Sequence, residues 1–225
     1  MIKTIIWDWN GTLLNDTDIC IESMNDMLGK RKLPALSLQR YREIFNFPVR
    51  NYYVSAGFDF EVENFDVVAI EFMDLYFKRL SQAGIFDEAT EVLSELKRLG
   101  IKQVLISAME HNSLLASVKE KGLFEYFDHI SGINDHFADG KIENAKKIVS
   151  VLKLDLTKTL MIGDTIHDFE VATDLGVVCL LIANGHQSIE RLKLLNCGVV
   201  DNLNVALEMV KTEILMTTTT IDQIR

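Results

Sequence analysis

Residues 4–14 read TIIWDWNGTLL, and this stretch decides the fold. An apolar run rich in β-branched residues, with no polar alternation, is typical of a strand covered on both faces of a parallel sheet. We therefore predict a strand at Thr4–Trp7 that ends at Asp8. Gly11 in the loop that follows allows a tight turn, so that backbone groups can face a ligand.

Further apolar runs of the same character alternate with helical patterns along the rest of the chain. The predicted strands are 103–106, 159–162 and 177–182, with shorter candidates at 129–131 and 198–201, and the predicted helices are 89–99, 111–121, 143–152 and 168–175. Strands and helices that alternate in this way imply an α/β fold with a doubly wound parallel sheet.

The segment 16–84 breaks this alternation, because its apolar residues recur at helical spacing and form no convincing core strand. The predicted helices here are 19–28, 38–45, 49–56 and 67–80. No stretch rich in Gly, Ser or Pro marks a flexible linker. We therefore predict a core domain of residues 1–15 and 85–225, interrupted by an all-helical domain of residues 16–84.

The charge and cysteine content restrict the classes of partner. A net charge of −10 and a pI near 5.0 repel nucleic acid and anionic membrane surfaces, so neither is an expected partner. Cys20, Cys179 and Cys197 lie far apart, which excludes a disulfide framework or a zinc cluster with CxxC spacing. We expect no signal peptide, because the first residues lack the apolar region and cleavage site of one, and no apolar run of the given sequence has membrane-span length. We expect a cytoplasmic location.

Polar residues follow the predicted strands at the points where those strands end. Asp8 follows the first strand and Ser107 the second, whereas Asp164 follows the third, with Asp168 four residues on and Lys141 upstream. Ligands of open parallel sheets bind at the carboxyl ends of the strands, where the strand order reverses. These residues are therefore predicted to form one site.

The residue types in this set suit a phosphate group and a divalent metal. A carboxylate such as Asp8 cannot attack a phosphate dianion unless the repulsion is screened, which Mg²⁺ can do when Asp8, a loop carbonyl and Asp164 or Asp168 bind it. The hydroxyl of Ser107 and the amide that follows it can donate hydrogen bonds to phosphoryl oxygens. Lys141 adds a compact positive charge.

Four motifs in this order resemble those of the haloacid dehalogenase-like hydrolase superfamily. The family's first motif, DxDGT after an apolar strand, reads IIWDWNGTLL at 5–14, and its second, a strand ending in Ser or Thr, reads VLIS at 104–107. Lys141 fits the third motif, and the fourth, GDxxxD, reads GDTIHD at 163–168. The helical insertion between the first two motifs resembles the cap domain of phosphoglycolate phosphatase-like members.

The resemblance implies a Rossmann-like core with a mobile cap and a Mg²⁺-dependent hydrolase of a small phosphorylated metabolite. Asp8 would be the nucleophile, forming an aspartyl-phosphate that water cleaves. The implied metal ligands are the carboxylates of Asp8 and Asp164 and the backbone carbonyl of Asn10, with Asp168 a direct or outer partner.

Three further residues are predicted to contact the substrate. Thr12 lies in the first motif, and Ala108 follows the second. Arg50 ends the segment 45–50, which resembles the substrate-facing loop of related caps. It would meet a second anionic group of the substrate, with a surface salt bridge as the alternative.

Asn10 departs from the family pattern, in which an Asp at this position protonates the leaving oxygen and later activates water. An amide cannot transfer a proton, a contribution typically worth about 10²–10⁴ in rate. Three explanations compete. In the first, the substrate has a good leaving group or another residue, such as His167, serves as the acid. In the second, the function of the protein is to form a long-lived aspartyl-phosphate. In the third, the Asn10–Gly11 dipeptide deamidates, so that Asn10 becomes Asp.

Two other functions compete with phosphate ester hydrolysis. Phosphonate C–P cleavage also occurs in family members that lack the second acid, but it needs a Schiff-base lysine from the cap, for which Lys30 and Lys32 are candidates by location. The non-enzymatic alternative is a weakened member that binds a phosphorylated ligand without turnover. Dehalogenation is disfavoured because it leaves the metal-binding acids without a task.

Overall fold

The computed structural model of the protein describes residues 1–133 and 140–222, and the side chains of the last helix as far as residue 213. A six-stranded sheet forms its centre, with the strands β1 Thr4–Trp7, β4 Lys102–Glu110, β5 His129–Ile133, β6 Thr159–Gly163, β7 Val178–Ile182 and β8 Gly198–Val200. All neighbouring strands are parallel, and they lie in the order β5-β4-β1-β6-β7-β8. The predicted doubly wound α/β fold is confirmed.

The strand β1 lies where the order of the sheet reverses. The chain runs outward from β1 through β4 to β5, returns to β6 on the other side of β1, and continues to β8. Ile6 is in register with Val104 on one side and Met161 on the other, so the carboxyl ends of three strands meet side by side. This is the place where open parallel sheets bind ligands.

Side chains of β1 alternate between two apolar cores, as the pleat of a strand requires. Ile5 and Trp7 belong to the larger core and Ile6 to the smaller one. One layer of helices covers the first face and another the second. The helices over the first face are α5 Ala89–Arg98, α6 His111–Glu120 and α10 Leu203–Asp222, and those over the second are α7 Lys141–Leu152, α8 Ile166–Leu175 and α9 Ile189–Leu192.

Four helices lie between two very short strands, β2 Leu14–Asn15 and β3 Gly84–Ile85, which pair antiparallel. The chain therefore leaves the core and returns to it at neighbouring points. The helices are α1 Thr17–Lys30, α2 Leu38–Ile44, α3 Val49–Ala56 and α4 Phe65–Arg79. Their apolar residues join the larger core. We keep the division into a core and a helical cap of residues 16–84 as a proposal that this connection supports.

Some helices and strands differ from their predicted bounds for local reasons. Helix α8 begins at Ile166 rather than 168, because Thr165 and Asp168 form a reciprocal capping box. Helix α7 begins at Lys141 rather than 143. The strands β2 and β3 were not predicted, since two residues are too few for an apolar pattern, and α10 was not predicted either. Within the described residues, no helix combines the length and the hydropathy of a membrane span.

Candidate active site

The predicted site residues from three neighbouring strands and from α7 meet at the carboxyl edge of the sheet. Asp8 follows β1 and Asp164 follows β6, whereas the prediction that Ser107 follows its strand is wrong, because β4 continues past it to Glu110. The ammonium of Lys141, in the first turn of α7, donates to Oδ1 of Asp8 and, at 2.5 Å, to Oδ1 of Asp168. All five side chains are buried. The structure thus brings these five predicted site residues together at one edge of the sheet.

The three acids form a group that fits a divalent cation. Carboxylate oxygens of Asp8, Asp164 and Asp168 lie within 4.8 Å of one another. Burial, together with the charges of the other two acids, raises the pKa of Asp8 to about 8 although Lys141 opposes the shift. Burial likewise raises the pKa of Asp164 to about 6. The single ammonium of Lys141 does not balance three carboxylates, and oxygen ligands are the kind that Mg²⁺ prefers.

Asp168 is held more firmly than the other two acids. Its Oδ2 accepts hydrogen bonds from the backbone amides of Asp164 and Thr165 and from the Thr165 hydroxyl, while its Oδ1 accepts from Lys141. Burial opposes ionisation, but Lys141 and these donors hold the pKa of Asp168 below its usual value. Burial likewise opposes the charge of Lys141, yet the two carboxylates raise its pKa. Lys141 is therefore a cation fixed in place.

The loop after β1 approaches the acids so closely that a side chain cannot fit at Gly11. A Cβ atom there would overlap the carboxylate of Asp164 and the ring of His186, and the φ of Gly11 is +76°. Thr12 is fully buried, and its hydroxyl donates to Oδ1 of Asp164 at 2.9 Å. Thr12 does not line the cavity described below, so its geometry supports positioning of the acids rather than the predicted contact with substrate.

Asn10 is held by two side chains from the helical segment. Its Nδ2 donates to Oδ2 of Asp16 and to the hydroxyl of Tyr76, both at 2.8 Å. The Tyr76 hydroxyl in turn donates to the same Oδ2 of Asp16 at 2.8 Å. On its other side, Oδ1 of Asn10 lies 3.4 Å from the Ser107 hydroxyl. The side-chain amide of Asn10 thus links the hydroxyl of Ser107 to the buried carboxylate of Asp16.

A buried ion pair that was not predicted lies beside Asn10. Nε2 of His186 is 3.2 Å from Oδ1 of Asp16, which also accepts from the amide of Gly11 at 3.0 Å. Burial opposes both charges, but the pair lowers the pKa of Asp16 and raises that of His186 to about 9. The other ring nitrogen of His186 is 2.9 Å from the Tyr41 hydroxyl. Nothing in the sequence connects residues so far apart.

A cavity of about 160 Å³ lies between the sheet edge and the helical segment. Asp8, Asn10, Ser107, Ala108 and Lys141 line it on the side of the sheet, together with further core residues such as His167 and His186. Side chains of the helical segment form the other part of the lining, and most of them are aromatic or aliphatic. These are Phe45, Phe47, Val49, Tyr53, Phe72 and Met73.

The three basic side chains of the helical segment that are candidates for contact with the substrate do not line this cavity. Arg50 is exposed, and its guanidinium lies over the ring of Phe60, 4.8 Å from the centroid, so the structure does not place it among the substrate contacts. Lys30 pairs with Glu71 at 2.6 Å. Lys32 is likewise absent from the lining. The geometry therefore gives no support to a Schiff-base lysine from either candidate.

The sequence matches a known protein family and has curated relatives. The model of the family described as haloacid dehalogenase-like hydrolase matches residues 5–182. The chain belongs to this family. Among curated relatives of this haloacid dehalogenase-like hydrolase, phosphoglycolate phosphatase from Caulobacter vibrioides is 26% identical over 191 residues, which cover 81% of this chain and 80% of the relative. N-acetylmuramic acid 6-phosphate phosphatase from Pseudomonas putida is 22% identical over 189 residues, or 82% and 84% of the two chains.

Solved structures agree with the fold of this haloacid dehalogenase-like hydrolase. A conserved haloacid dehalogenase-like protein of unknown function from Agrobacterium tumefaciens superimposes with a TM-score of 0.79 at 19% identity, covering 95% of this chain and 99% of the other. A haloacid dehalogenase-like family hydrolase from Streptococcus pneumoniae gives a TM-score of 0.77 at 18% identity, covering 93% and 98%. At such identities the likeness concerns the fold, and the helical segment shares in it.

Proposed function

We propose that the protein is a Mg²⁺-dependent phosphatase that hydrolyses a small phosphate monoester through an aspartyl-phosphate on Asp8. The observation that carries the proposal is the position of Asp8 at the polar end of the cavity, in contact with Lys141 and within 4.8 Å of Asp164 and Asp168. The phosphatase names of the curated relatives support the same reaction class. A small phosphorylated metabolite and a cytoplasmic location remain predictions.

The reaction proceeds in two displacements at phosphorus. A carboxylate oxygen of Asp8 forms a bond to phosphorus while the bond to the ester oxygen breaks, and the departing oxygen takes up a proton. Water then attacks the same phosphorus, the bond to the Asp8 oxygen breaks, and orthophosphate leaves. The first step converts the carboxylate of Asp8 to an acyl phosphate and the second restores it, so the residue turns over.

The residues around Asp8 suit the charge that develops on the phosphoryl group. Lys141 presents a fixed cation, and Ser107 and Ala108 line the same cavity, where a hydroxyl and a backbone amide would donate to phosphoryl oxygens. Asp8, Asp164 and the backbone carbonyl of Asn10 would hold Mg²⁺, with Asp168 alongside. When bound, the metal screens the repulsion between carboxylate and phosphate and polarises the phosphoryl oxygens.

The proton for the leaving oxygen needs a source other than Asn10, whose amide cannot supply one. His167 lines the cavity, with Nδ1 3.2 Å from Glu170, whereas its Nε2 is buried and has no hydrogen-bond partner among the described residues. Of the three explanations for Asn10, this geometry favours another residue as acid. The slow turnover of an aspartyl-phosphate and deamidation of Asn10 stay open, and intact-peptide mass spectrometry of active protein tests the latter.

Replacing His167 with Gln is expected to lower turnover of benzyl phosphate by about tenfold or more, but to change turnover of 4-nitrophenyl phosphate by less than about threefold. An alkoxide must be protonated as it leaves, whereas nitrophenolate departs without help. The measurement is kcat for both esters in the two proteins. Equal losses on the two esters would rule out His167 as the acid.

The proposed reaction is tested by orthophosphate release and by a chemical trap. We expect release from 4-nitrophenyl phosphate in Mg²⁺ and none in EDTA. Acid quenching during turnover of a ³²P-labelled ester should leave label on the protein that hydroxylamine removes, as an acyl phosphate requires. Release without a protein-bound, hydroxylamine-labile phosphate would retain the phosphatase and exclude the covalent intermediate.

The metal-free protein is expected to lose thermal stability as the pH rises from about 5 to about 8. The folded-state pKa of Asp8 is about 8 and that of Asp164 about 6, against an ordinary 3.8, so the folded state binds more protons than the unfolded state in this window. His186 acts in the same direction, because its stabilising charge is lost as the pH rises through its folded-state pKa of about 9.

Mg²⁺ should oppose this loss, because it binds the ionised acids and therefore stabilises the protein more at the higher pH. The measurement is the melting temperature at about pH 5.5 and about pH 8 in EDTA and in Mg²⁺, with an expected difference of a few degrees. Asp164→Asn is the matched variant, in which the gain from Mg²⁺ should shrink. A metal-free melting temperature that rises with pH would contradict the assignment.

A further inference from the structure

We propose that the substrate is a phosphate monoester of a small, neutral, apolar alcohol or phenol that carries no second anionic group. This inference rests on the proposed function and names its substrate class. It comes from the contrast between the two ends of the cavity. The end at the sheet holds Asp8 and Lys141, whereas the wall formed by the helical segment is built of Phe45, Phe47 and Phe72 with their aliphatic neighbours.

The charges that line the cavity disfavour a second anion. Among the described lining residues, Lys141 is the one lysine or arginine, and its ammonium is occupied by Asp8 and Asp168. The same lining includes two acids, Asp16 and Glu110, whose carboxylates already accept hydrogen bonds from neighbouring groups. His186 is paired with Asp16. A carboxylate or second phosphate on the substrate would therefore find no further lysine or arginine among the described lining residues, so its desolvation would be uncompensated.

The arginines of the helical segment are directed to other partners. Four pair with carboxylates or donate to backbone carbonyls, and the fifth lies over an aromatic ring. The contacts are Arg31 with Glu63, Arg40 with Glu43, Arg42 with the carbonyl of Gly185, Arg79 with Asp26, and Arg50 with Phe60. None of these arginines lines the cavity. A substrate such as phosphoglycolate, whose second end is a carboxylate, thus meets no matching cation on the described surface.

The size of the cavity limits the apolar part of the substrate. Its volume of about 160 Å³ is close to that of an engineered apolar cavity of about 150 Å³ that holds one benzene molecule. Because the phosphoryl group takes part of this volume, the space beside it suits at most one ring or a branched alkyl group. The rings of Phe47 and Phe45 meet edge to face, with centroids 5.5 Å apart, and offer the kind of surface on which an aromatic ring packs well.

A matched series of esters tests the inference on the unaltered protein. Benzyl, cyclohexylmethyl and 4-carboxybenzyl phosphate have similar leaving oxygens and similar size, and differ in aromaticity or in one charge. We expect kcat/KM for the two neutral esters to exceed that for 4-carboxybenzyl phosphate by about 30-fold or more. Phosphoglycolate and glucose 6-phosphate should be poor substrates, because their carboxylate or hydroxyls would lose partners in the apolar wall.

A cation introduced into the apolar wall should shift this preference. Met73 lines the cavity, whereas Ile70, one turn earlier in α4, is 56% exposed and does not. Met73→Arg is expected to change the ratio of kcat/KM for benzyl over 4-carboxybenzyl phosphate by about tenfold or more in favour of the charged ester. Ile70→Arg, which adds the same charge on the solvent side, should leave the ratio within about twofold.

The outcomes separate this inference from the proposed function. If 4-carboxybenzyl phosphate or phosphoglycolate is hydrolysed with a kcat/KM equal to that of benzyl phosphate, the apolar substrate class is overturned and the proposed phosphatase activity stands. A folded Met73→Arg protein with an unchanged ratio of kcat/KM for the two esters would show that this wall does not select the substrate. That result would also overturn the apolar substrate class. Failure of every ester in Mg²⁺ would overturn the phosphatase itself. If Met73→Arg does not fold, the ester series decides alone.

Discussion

Replacing Asp8 with Asn is expected to reduce phosphate release by about 10⁴-fold or more, the scale of loss when a covalent nucleophile is removed. The amide keeps the size of the side chain but cannot attack phosphorus. The measurement is kcat for 4-nitrophenyl phosphate in Mg²⁺, together with loss of the hydroxylamine-labile phosphate. Asp74→Asn is the matched control, because Asp74 is an exposed acid of α4.

The same substitution should stabilise the metal-free protein. Burial beside Asp164 and Asp168 raises the pKa of Asp8 to about 8, which means that its ionised form is disfavoured in the folded state. The gain should therefore grow as the pH rises from about 4 to about 8 and reach a few degrees of melting temperature. An Asp8→Asn protein that keeps more than about a tenth of the activity would remove Asp8 as nucleophile and end the proposed mechanism.

Exchanging the acid and the amide between Asn10 and Asp16 is expected to change both the thermal stability and the turnover of the protein strongly. Asn10→Asp alone places a carboxylate where Nδ2 now donates to Oδ2 of Asp16 at 2.8 Å, so two acids face each other in a buried place. Such a contact costs about 3 kcal/mol or more. For a chain of this size, that lowers the melting temperature by roughly 6–12 °C.

The double variant Asn10→Asp/Asp16→Asn should recover most of this stability. Its new amide at position 16 can donate to the acid at position 10, while its carbonyl oxygen can still accept from His186 and from the amide of Gly11. The acid at position 10 can also transfer protons. We expect turnover of benzyl phosphate to rise above that of the natural sequence by up to about 10²–10⁴-fold if proton transfer limits the rate.

The four proteins of this exchange form a double-mutant cycle. A coupling free energy of about 2 kcal/mol or more between positions 10 and 16 is expected from thermal or denaturant unfolding. Tyr76→Phe serves as a control, because it removes a hydroxyl that contacts both residues without exchanging their charges. Additive losses at the two positions would show that the amide of Asn10 is not required by the acid of Asp16.

Much of the fold could be predicted because its signals are local. Each core strand is an apolar run of a few residues, and the helices between them carry their own periodicity and caps, as Thr165 and Asp168 do for α8. The pair β2 and β3 escaped prediction because two-residue strands have no period, and their pairing joins residues 14–15 with residues 84–85.

The candidate site likewise contains residues whose places could be predicted from the sequence and residues whose places could not. Asp8, Ser107 and Asp164 could be placed together because neighbouring parallel strands run in register towards a common edge, although β4 continues beyond Ser107 to Glu110. Arg50 could not be placed, because the same helical periodicity allows its guanidinium to face the cavity or, as found, the ring of Phe60. The pair of Asp16 and His186 had no local signal at all.

The sequence alone thus determined the parallel sheet, the helical insertion and the convergence of an acid, a hydroxyl and a lysine at one edge, since these depend on local pattern and on the geometry of strands. Only the tertiary structure decided that Asn10 is held by Asp16 and Tyr76, that Thr12 serves the acids, and that the wall opposite Asp8 is apolar. Those features depend on contacts between residues far apart in the chain, which no short window of sequence contains.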